Sequence, residues 1–383
     1  MRKSIKTLAA ALPLASAPAW AADNLIQFSA TTISDVLGNV SGGLKRGARL
    51  LDKGDVTATF QGDDHGAAGW TVFLDGQFTD ATDFSGALVG DAQGVSNIDA
   101  PAGLRLANAW IAKDFHGKGG VKAGVVDLNT EFDVQSTAAL FLNPSFGIGP
   151  DFSQSGQNGP SIFPSTGLGL VGWWLPGGHW QLKAGMFEGA PGDPNHSGRT
   201  TFSFTHDEGV LAVAEVRNQI TPDTVLGLGG WRYTASFDAI DPVRGRLSGN
   251  AGAYAIVDAL LYSAPRKGKE DEKAGLRGWL RLGIADDRIN AIGTTVNGGL
   301  VYTAPFGRMA DQAGLSFAHA RFGDAARQAG LLGQAETTIE ATYSFNINEH
   351  LNVQPDIQYV MSPSGDASIP NALVLGSRFV ATW

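Results

Sequence analysis

NALVLGSRFVATW, residues 371–383, closes the chain. Leu373, Leu375, Phe379, Ala381 and Trp383 share one parity, and Val374, Gly376, Arg378 and Thr382 share the other. Side chains of an extended strand point alternately to opposite faces, so this spacing reads as a strand with one face mainly apolar, broken by Ser377. Two stretches upstream follow the same rule. In TIEATYSFNI (338–347), Ile339, Ala341, Tyr343, Phe345 and Ile347 alternate with Glu340, Thr342, Ser344 and Asn346. After a turn at Asn348-Glu349-His350, Val353, Ile357, Tyr359 and Met361 alternate with Gln354, Asp356 and Gln358. Each run has about ten residues, the length a tilted strand needs to cross a bilayer.

Composition narrows the class. The chain has 383 residues, a net charge of −9 and 51 glycines, with no cysteine. An acidic balance argues against nucleic acid as a partner, since phosphate binding needs a basic surface. The lack of cysteine excludes disulfides and thiolate metal sites. The start of the chain reads as an export signal: Arg2, Lys3 and Lys6, then apolar TLAAALPLASAPAW (7–20), then the small-residue pattern Ala19-Trp20-Ala21. Residues 1–21 are therefore expected to be removed, leaving one domain over 22–383. Beyond the signal no apolar run reaches the roughly 18 residues of a membrane-spanning helix. A strand-built membrane protein needs no such run, because only alternate residues meet lipid. The aromatic terminus of an apolar-alternating strand resembles the C-terminal signature of bacterial outer-membrane barrels, usually Phe and here Trp. A soluble β-sandwich ending on Trp is the bland alternative.

The connections favour the barrel. Short turns read at 62–68, 115–118, 176–179, 218–223, 263–274, 305–311 and 348–350. Longer Gly- and Asp-rich connections read near 38–54, 79–103, 128–165, 188–208, 236–249, 286–293, 323–334 and 362–370. Their alternation predicts an all-β, transmembrane antiparallel barrel of sixteen strands, with the C-terminus on the short-turn side.

Motifs for catalysis are weak. GLGLVG (167–172) has the spacing of a dinucleotide loop, but WWLPGG follows where a helix would have to start. The seven histidines show no ligand spacing, and no nucleophile motif occurs. No cofactor or metal is therefore expected. DLNTEFD (127–133) places Asp127, Asn129, Glu131 and Asp133 at every second residue. On a strand, neighbours of like parity lie roughly 7 Å apart. Glu131 and Asp133 could then serve as the carboxyl pair of an exported glycoside hydrolase. An acidic wall facing the water of a pore fits better, with Leu128 and Phe132 on the apolar side. The stretch runs into the longest loop, FLNPSFGIGPDFSQSGQNGPSIFPSTGLGL, which could fold inward and narrow a channel.

Six stretches carry a family likeness: LGNVSGGLKRG (37–47), VGDAQGVSNIDA (89–100), AGVVDLNTEFD (123–133), FLNPSFGIGPDFSQSGQNGPSIFP (141–164), FEGAPGDP (187–194) and QPDIQYVMSPSG with NALVLGSRF near the end. Together they resemble the carbohydrate-selective porin family (OprB-like) over nearly the whole mature chain. The resemblance implies a sixteen-stranded barrel in the bacterial outer membrane, passing small sugars by diffusion and performing no turnover. It implies an eyelet built from an inward constriction loop with charged and amide side chains. Carried onto this sequence, the acidic wall is Asp127, Asn129, Glu131 and Asp133, and the loop candidates are Asp151, Gln154, Gln157 and Asn158. Arg105, Arg277 and Arg281 are the bases expected to face them. The partners implied are small sugars and outer-membrane lipid. A homo-oligomer and a general, non-selective porin both remain open.

Overall fold

In the computed structural model the described residues are 25–383, apart from 81–82, 203–206, 265–273 and 331–332. Sixteen antiparallel strands close into one barrel. They are β1 (Gln27–Ser41), β2 (Gly47–Gln61), β3 (Trp70–Asp80), β4 (Gly103–Asp114), β5 (Gly119–Val126), β6 (Gly167–Gly177), β7 (Trp180–Glu188) and β8 (Val210–Thr221). The second half comprises β9 (Thr224–Asp238), β10 (Arg246–Ser263), β11 (Gly275–Ala285), β12 (Ile292–Thr303), β13 (Gln312–Phe322), β14 (Ala335–Asn346), β15 (Leu351–Met361) and β16 (Ala372–Thr382). Every strand pairs with its sequence neighbours, and β1 closes on β16 from Thr31↔Thr382 to Ser41↔Leu373, with one register shift after Asn39. The backbones of Ala30 and Trp383 exchange hydrogen bonds of 2.9 and 3.1 Å, so the last residue completes the seam.

Burial is inverted relative to a protein with an aqueous exterior. On β13 to β16 the exposed side chains are Leu315, Phe317, Ile339, Ile357, Tyr359, Leu375 and Phe379, whereas Glu336, Thr338, Glu340, Gln354, Asp356, Gln358 and Arg378 are buried. The apolar parity faces lipid and the polar parity faces the lumen, the arrangement that alternation in a membrane barrel requires. Exposed Trp70, Phe115, Trp180, Phe306 and Trp383 cluster at the short-turn end, where an aromatic girdle meets the headgroups. Replacing Ile357, midway along β15, with arginine is expected to cost about 2–4 kcal/mol. Urea titration of refolding into lipid vesicles measures it, and an unchanged midpoint would remove Ile357 from the lipid face.

Two features differ from the sequence reading. The expected loop at 38–54 shrinks to residues 42–46, because β1 and β2 each extend further. Inward Leu37 and Leu51 are apolar, since they pack against Phe84, Leu88 and Val95 of an inward connection, and this masks the alternation. The stretch 127–133 is not a strand. Asp127 accepts the amide of Asn129, a 3₁₀ turn runs over Leu128–Thr130, and Asp133 adopts φ +58°. Even spacing there came from a capped turn, so the expected strand geometry for Glu131 and Asp133 is withdrawn. The expected signal at 1–21, and most of the expected charged turn at 263–274, lie outside the described residues.

Two long connections account for the interior. Residues 83–102 and 127–166 hydrogen-bond to lumen-facing side chains of strands remote from their own, including β10, β11, β14 and β15. Leu128, Phe132, Ile148 and Phe152 of the second connection form a core with Val171, Phe187, Leu211, Trp231 and Tyr254 of the wall. The rings of Phe152 and Trp231 stack at 5.0 Å.

Candidate pore constriction

Wall carboxylates hold the inward connections by their backbone amides. Glu340 accepts Leu142 N at 2.7 Å and Asn143 N at 3.0 Å. Asp258 accepts Thr137 N at 2.9 Å and its hydroxyl at 2.7 Å. Glu336 accepts Ala92 N, Gln93 N and Ser364 N at 2.7, 3.0 and 2.6 Å. A loop inside a barrel cannot satisfy its amides with a sheet ladder, and a carboxylate reaching from the wall supplies charge-assisted acceptors instead.

The strongest anchor is an ion cluster with no exposed surface. Arg281 of β11 donates Nε to Asp133 Oδ1 at 2.8 Å and Nη2 to Asp133 Oδ2 at 2.7 Å. Its Nη1 reaches Asp151 Oδ1 at 2.7 Å and Thr295 Oγ1 at 2.8 Å. The Asp133 amide donates to Glu215 Oε2 at 3.0 Å and to the Tyr254 hydroxyl oxygen at 3.1 Å. Glycine permits the close approach: a Cβ on Gly149 would lie 2.0 Å from Arg281 Nη1, and one on Gly283 would lie 2.3 Å from it.

Burial changes what these acids can do. Asp133 and Asp151 are sealed against Arg281, so Asp133 does not face lumen water as the sequence reading had it. Asn129 donates to Phe132 O and Gly147 O within the loop. Gln154 donates to Ala92 O, Gln157 to Asp207 O and Asn158 to Pro191 O, each joining one connection to another. Arg277 pairs with Asp258 at 2.8 Å and reaches the Thr137 hydroxyl. Among the described residues Arg105 pairs with no carboxylate. It donates to the Thr79 hydroxyl and to the carbonyls of Pro101 and Ser197, tying connections together. The opposition of Arg105 to the acidic row is therefore corrected: β4 places it beside the 81–102 connection, away from Asp127–Asp133.

Glu131 is different. Its carboxylate lies between Lys122 of β5 and Lys183 of β7, bonding to Lys122 through Oε1 and to Lys183 at 2.8 Å through Oε2. Burial alone would raise its pKa, but Lys183 and Lys122 outweigh burial and hold the carboxyl below its ordinary value. The Lys122 ammonium stands 4.0 Å over the Trp110 ring, and Trp110 packs on Phe73 at 5.2 Å. Along the same wall follow Lys53 with Asp55 at 2.6 Å, and Arg217 with Glu215 at 2.6 Å. Lys53, Asp55, Lys122, Glu131, Lys183 and Arg217 keep part of their side-chain surface exposed. These part-exposed side chains, Glu131 from the 127–166 connection and the rest from β2, β5, β7 and β8, form a row of alternating charge, with the Trp110 ring behind Lys122. Sequence reasoning found Glu131 and missed its lysines. Their signal was a lysine at the inward parity of strands rich in glycine and apolar residues, GGVKAGVV and WQLKAGMFE.

The 81–102 connection carries a pH-sensitive contact. Asp91 is buried beside Glu336, and burial first, then that neighbouring carboxylate, push its pKa up to about 8. A raised folded-state pKa contributes stability that is present below the ordinary carboxylate range and lost as pH rises through about 8. Hydrogen exchange across 84–98 is expected to accelerate between pH 7 and pH 9 beyond the intrinsic rate, and to do so no longer in Asp91→Asn. Equal acceleration in both proteins would refute the contact.

Comparison with known proteins gives a consistent result. Residues 57–382 match the family described as carbohydrate-selective porin, OprB family. The chain is similar to the high-pH structure of Pseudomonas putida OprB, with a TM-score of 0.80 at 19% identity, covering 95% of this chain and 96% of that one. It is also similar to the outer-membrane channel DcaP of Acinetobacter baumannii, at TM-score 0.58 and 9% identity over 94% and 97% of the two chains. The anion-selective porin from Comamonas acidovorans gives TM-score 0.56 at 10% identity over 94% and 99%. At these identities the solved structures bear on the fold alone. No curated protein is significantly similar to the chain.

Proposed function

The chain belongs to the carbohydrate-selective porin family, and from that premise we propose that its sugar-selecting constriction is the strip formed by Lys53, Asp55, Trp110, Lys122, Glu131, Lys183 and Arg217. The protein is an outer-membrane channel for passive diffusion of sugars, and family and fold are those of channels, not enzymes. The observation that carries the assignment is Glu131, held between two lysines beside the face of Trp110.

A sugar presents hydroxyls that donate and accept, and a C–H face that is apolar. Glu131 accepts from hydroxyls, the lysine ammoniums donate to them, and the Trp110 ring covers the C–H face. These groups already bond to one another, so a passing sugar exchanges partners instead of meeting bare charges. Binding stays weak enough for release, as conduction requires. Asp133, Asp151 and Arg281 act one layer behind: they fix the loop that carries Glu131. The same placement disfavours the hydrolase alternative, since Glu131 is neutralised by two lysines and Asp133 is sealed against Arg281. Asp127, Asn129, Gln154, Gln157, Asn158, Arg105 and Arg277 shape the vestibule by holding its connections. Residues 1–21 are removed on export, and each copy of the remaining chain holds a complete passage, whatever the number of copies in an assembly.

Liposome swelling tests the assignment. Glucose is expected to enter vesicles carrying the protein faster than an uncharged non-sugar solute of equal size, and the preference is expected to disappear in Trp110→Ala. Equal rates for both solutes in the unmodified protein would reduce it to a general pore.

A further inference from the structure

Between the two inward connections lies a cavity of about 640 Å³ that the constriction does not use. The 81–102 connection contributes Asp83, Asn97 and Asp99 to its lining, and the 127–166 connection contributes Pro144, Phe163 and Pro164. Phe163 joins it to the constriction, for the Lys53 ammonium stands 5.8 Å from the centre of its ring. One wall of the cavity thus borders the charged strip, and Asp83 and Asp99 place it in the connection between β3 and β4.

Its polar groups are oriented and half-used. Asp99 Oδ2 accepts the amides of Phe84 and Ser85 at 2.9 and 3.1 Å, and among the described residues no hydrogen bond reaches Oδ1. Asp83 Oδ1 accepts the amide of Gly86 at 3.0 Å, and Oδ2 is likewise unclaimed among the described residues. Asn97 accepts Arg378 at its Oδ1 at 2.8 Å, which turns the guanidinium toward the oxygen and leaves the Nδ2 hydrogens to donate. The same lining holds the Phe163 ring and the rings of Pro101, Pro144 and Pro164, apolar faces whose side chains carry no donors. Fixed acceptors, a fixed donor and a facing apolar wall match one solute chemistry: a pyranose, with vicinal hydroxyls at its edge and C–H bonds on its face.

Resting on the reading of this chain as a sugar channel, we propose that this cavity is a second sugar-binding site, an antechamber that captures a monosaccharide at the long-loop mouth before it reaches Glu131. Two weak sites in series raise the local sugar concentration at the constriction without a tight step that would slow release.

The test uses single-channel currents in planar bilayers, with glucose added on the long-loop side. In the double variant Phe163→Leu, Asp99→Asn the half-inhibiting glucose concentration is expected to rise about tenfold, the scale of one lost charge-assisted hydrogen bond with its stacking face. Asparagine keeps an oxygen for the Phe84 and Ser85 amides, and an unchanged sugar-free conductance certifies that the variant is folded. A half-inhibiting concentration equal to that of the unmodified protein, while Glu131→Gln raises it, would overturn the antechamber and leave the constriction standing. No response to glucose in the unmodified protein would overturn both.

Discussion

Replacing Arg281 with alanine is expected to release the inward connection and abolish sugar discrimination. The substitution leaves Asp133 and Asp151 buried without their cation, and breaking such a pair costs about 3–5 kcal/mol. The barrel has sixteen paired strands to sustain it, so the loss falls on the connection. Once 127–166 leaves the wall, Glu131 is no longer fixed between Lys122 and Lys183. Single-channel recordings should show a larger, noisier conductance that glucose no longer reduces, and limited proteolysis should cut within 127–166. Arg281→Ala channels with unmodified conductance and protease resistance would show that the connection is held elsewhere. Methionine at 281 with asparagine at 133 and 151 is the informative companion, because it removes the charges together and should retain more order than the single alanine.

Glu131→Gln is expected to act on selectivity without enlarging the pore. Glutamine keeps the shape but removes the charge that compensates Lys122 and Lys183. Two ammoniums then stand in the passage with one weak acceptor between them. Reversal potentials in a salt gradient should shift toward anions relative to the unmodified protein. The half-inhibiting glucose concentration should rise about tenfold, the scale of a lost hydrogen bond to a charged acceptor. An unchanged reversal potential would place Glu131 away from the ion path.

The barrel was legible in the sequence because lipid imposes it. Ile339 to Ile347 present an apolar residue at every second position, and Leu373 to Trp383 do so at all but Ser377, as a lipid-facing parity demands. The pattern weakens where the lumen is filled: Leu37 and Leu51 face inward yet are apolar, since the 81–102 connection packs on them. The candidate site was legible in composition and not in geometry. Glu131, Asp133, Asp151 and Arg281 all stand out in the sequence, but spacing cannot tell a lumen wall from a buried anchor. That division depends on contacts such as Arg281 to Asp133, 148 residues apart in the chain. Arg105 shows the converse: a base at the start of a strand, expected to oppose the acids, instead ties carbonyls of neighbouring connections. Lys122 and Lys183 were hidden because a lysine amid glycine and alanine in a strand reads equally as a girdle residue, and only the barrel's parity turns it inward.

One recording bears most directly on the claim that sugars are selected at the Glu131 strip. It is the single-channel current of the unmodified protein in a planar bilayer under glucose titration, alongside Trp110→Ala. Discrete steps that glucose reduces in a saturable way, with saturation lost in Trp110→Ala and the sugar-free conductance maintained, are the predicted result. Steps that glucose reduces equally in both proteins, or in neither, would contradict it.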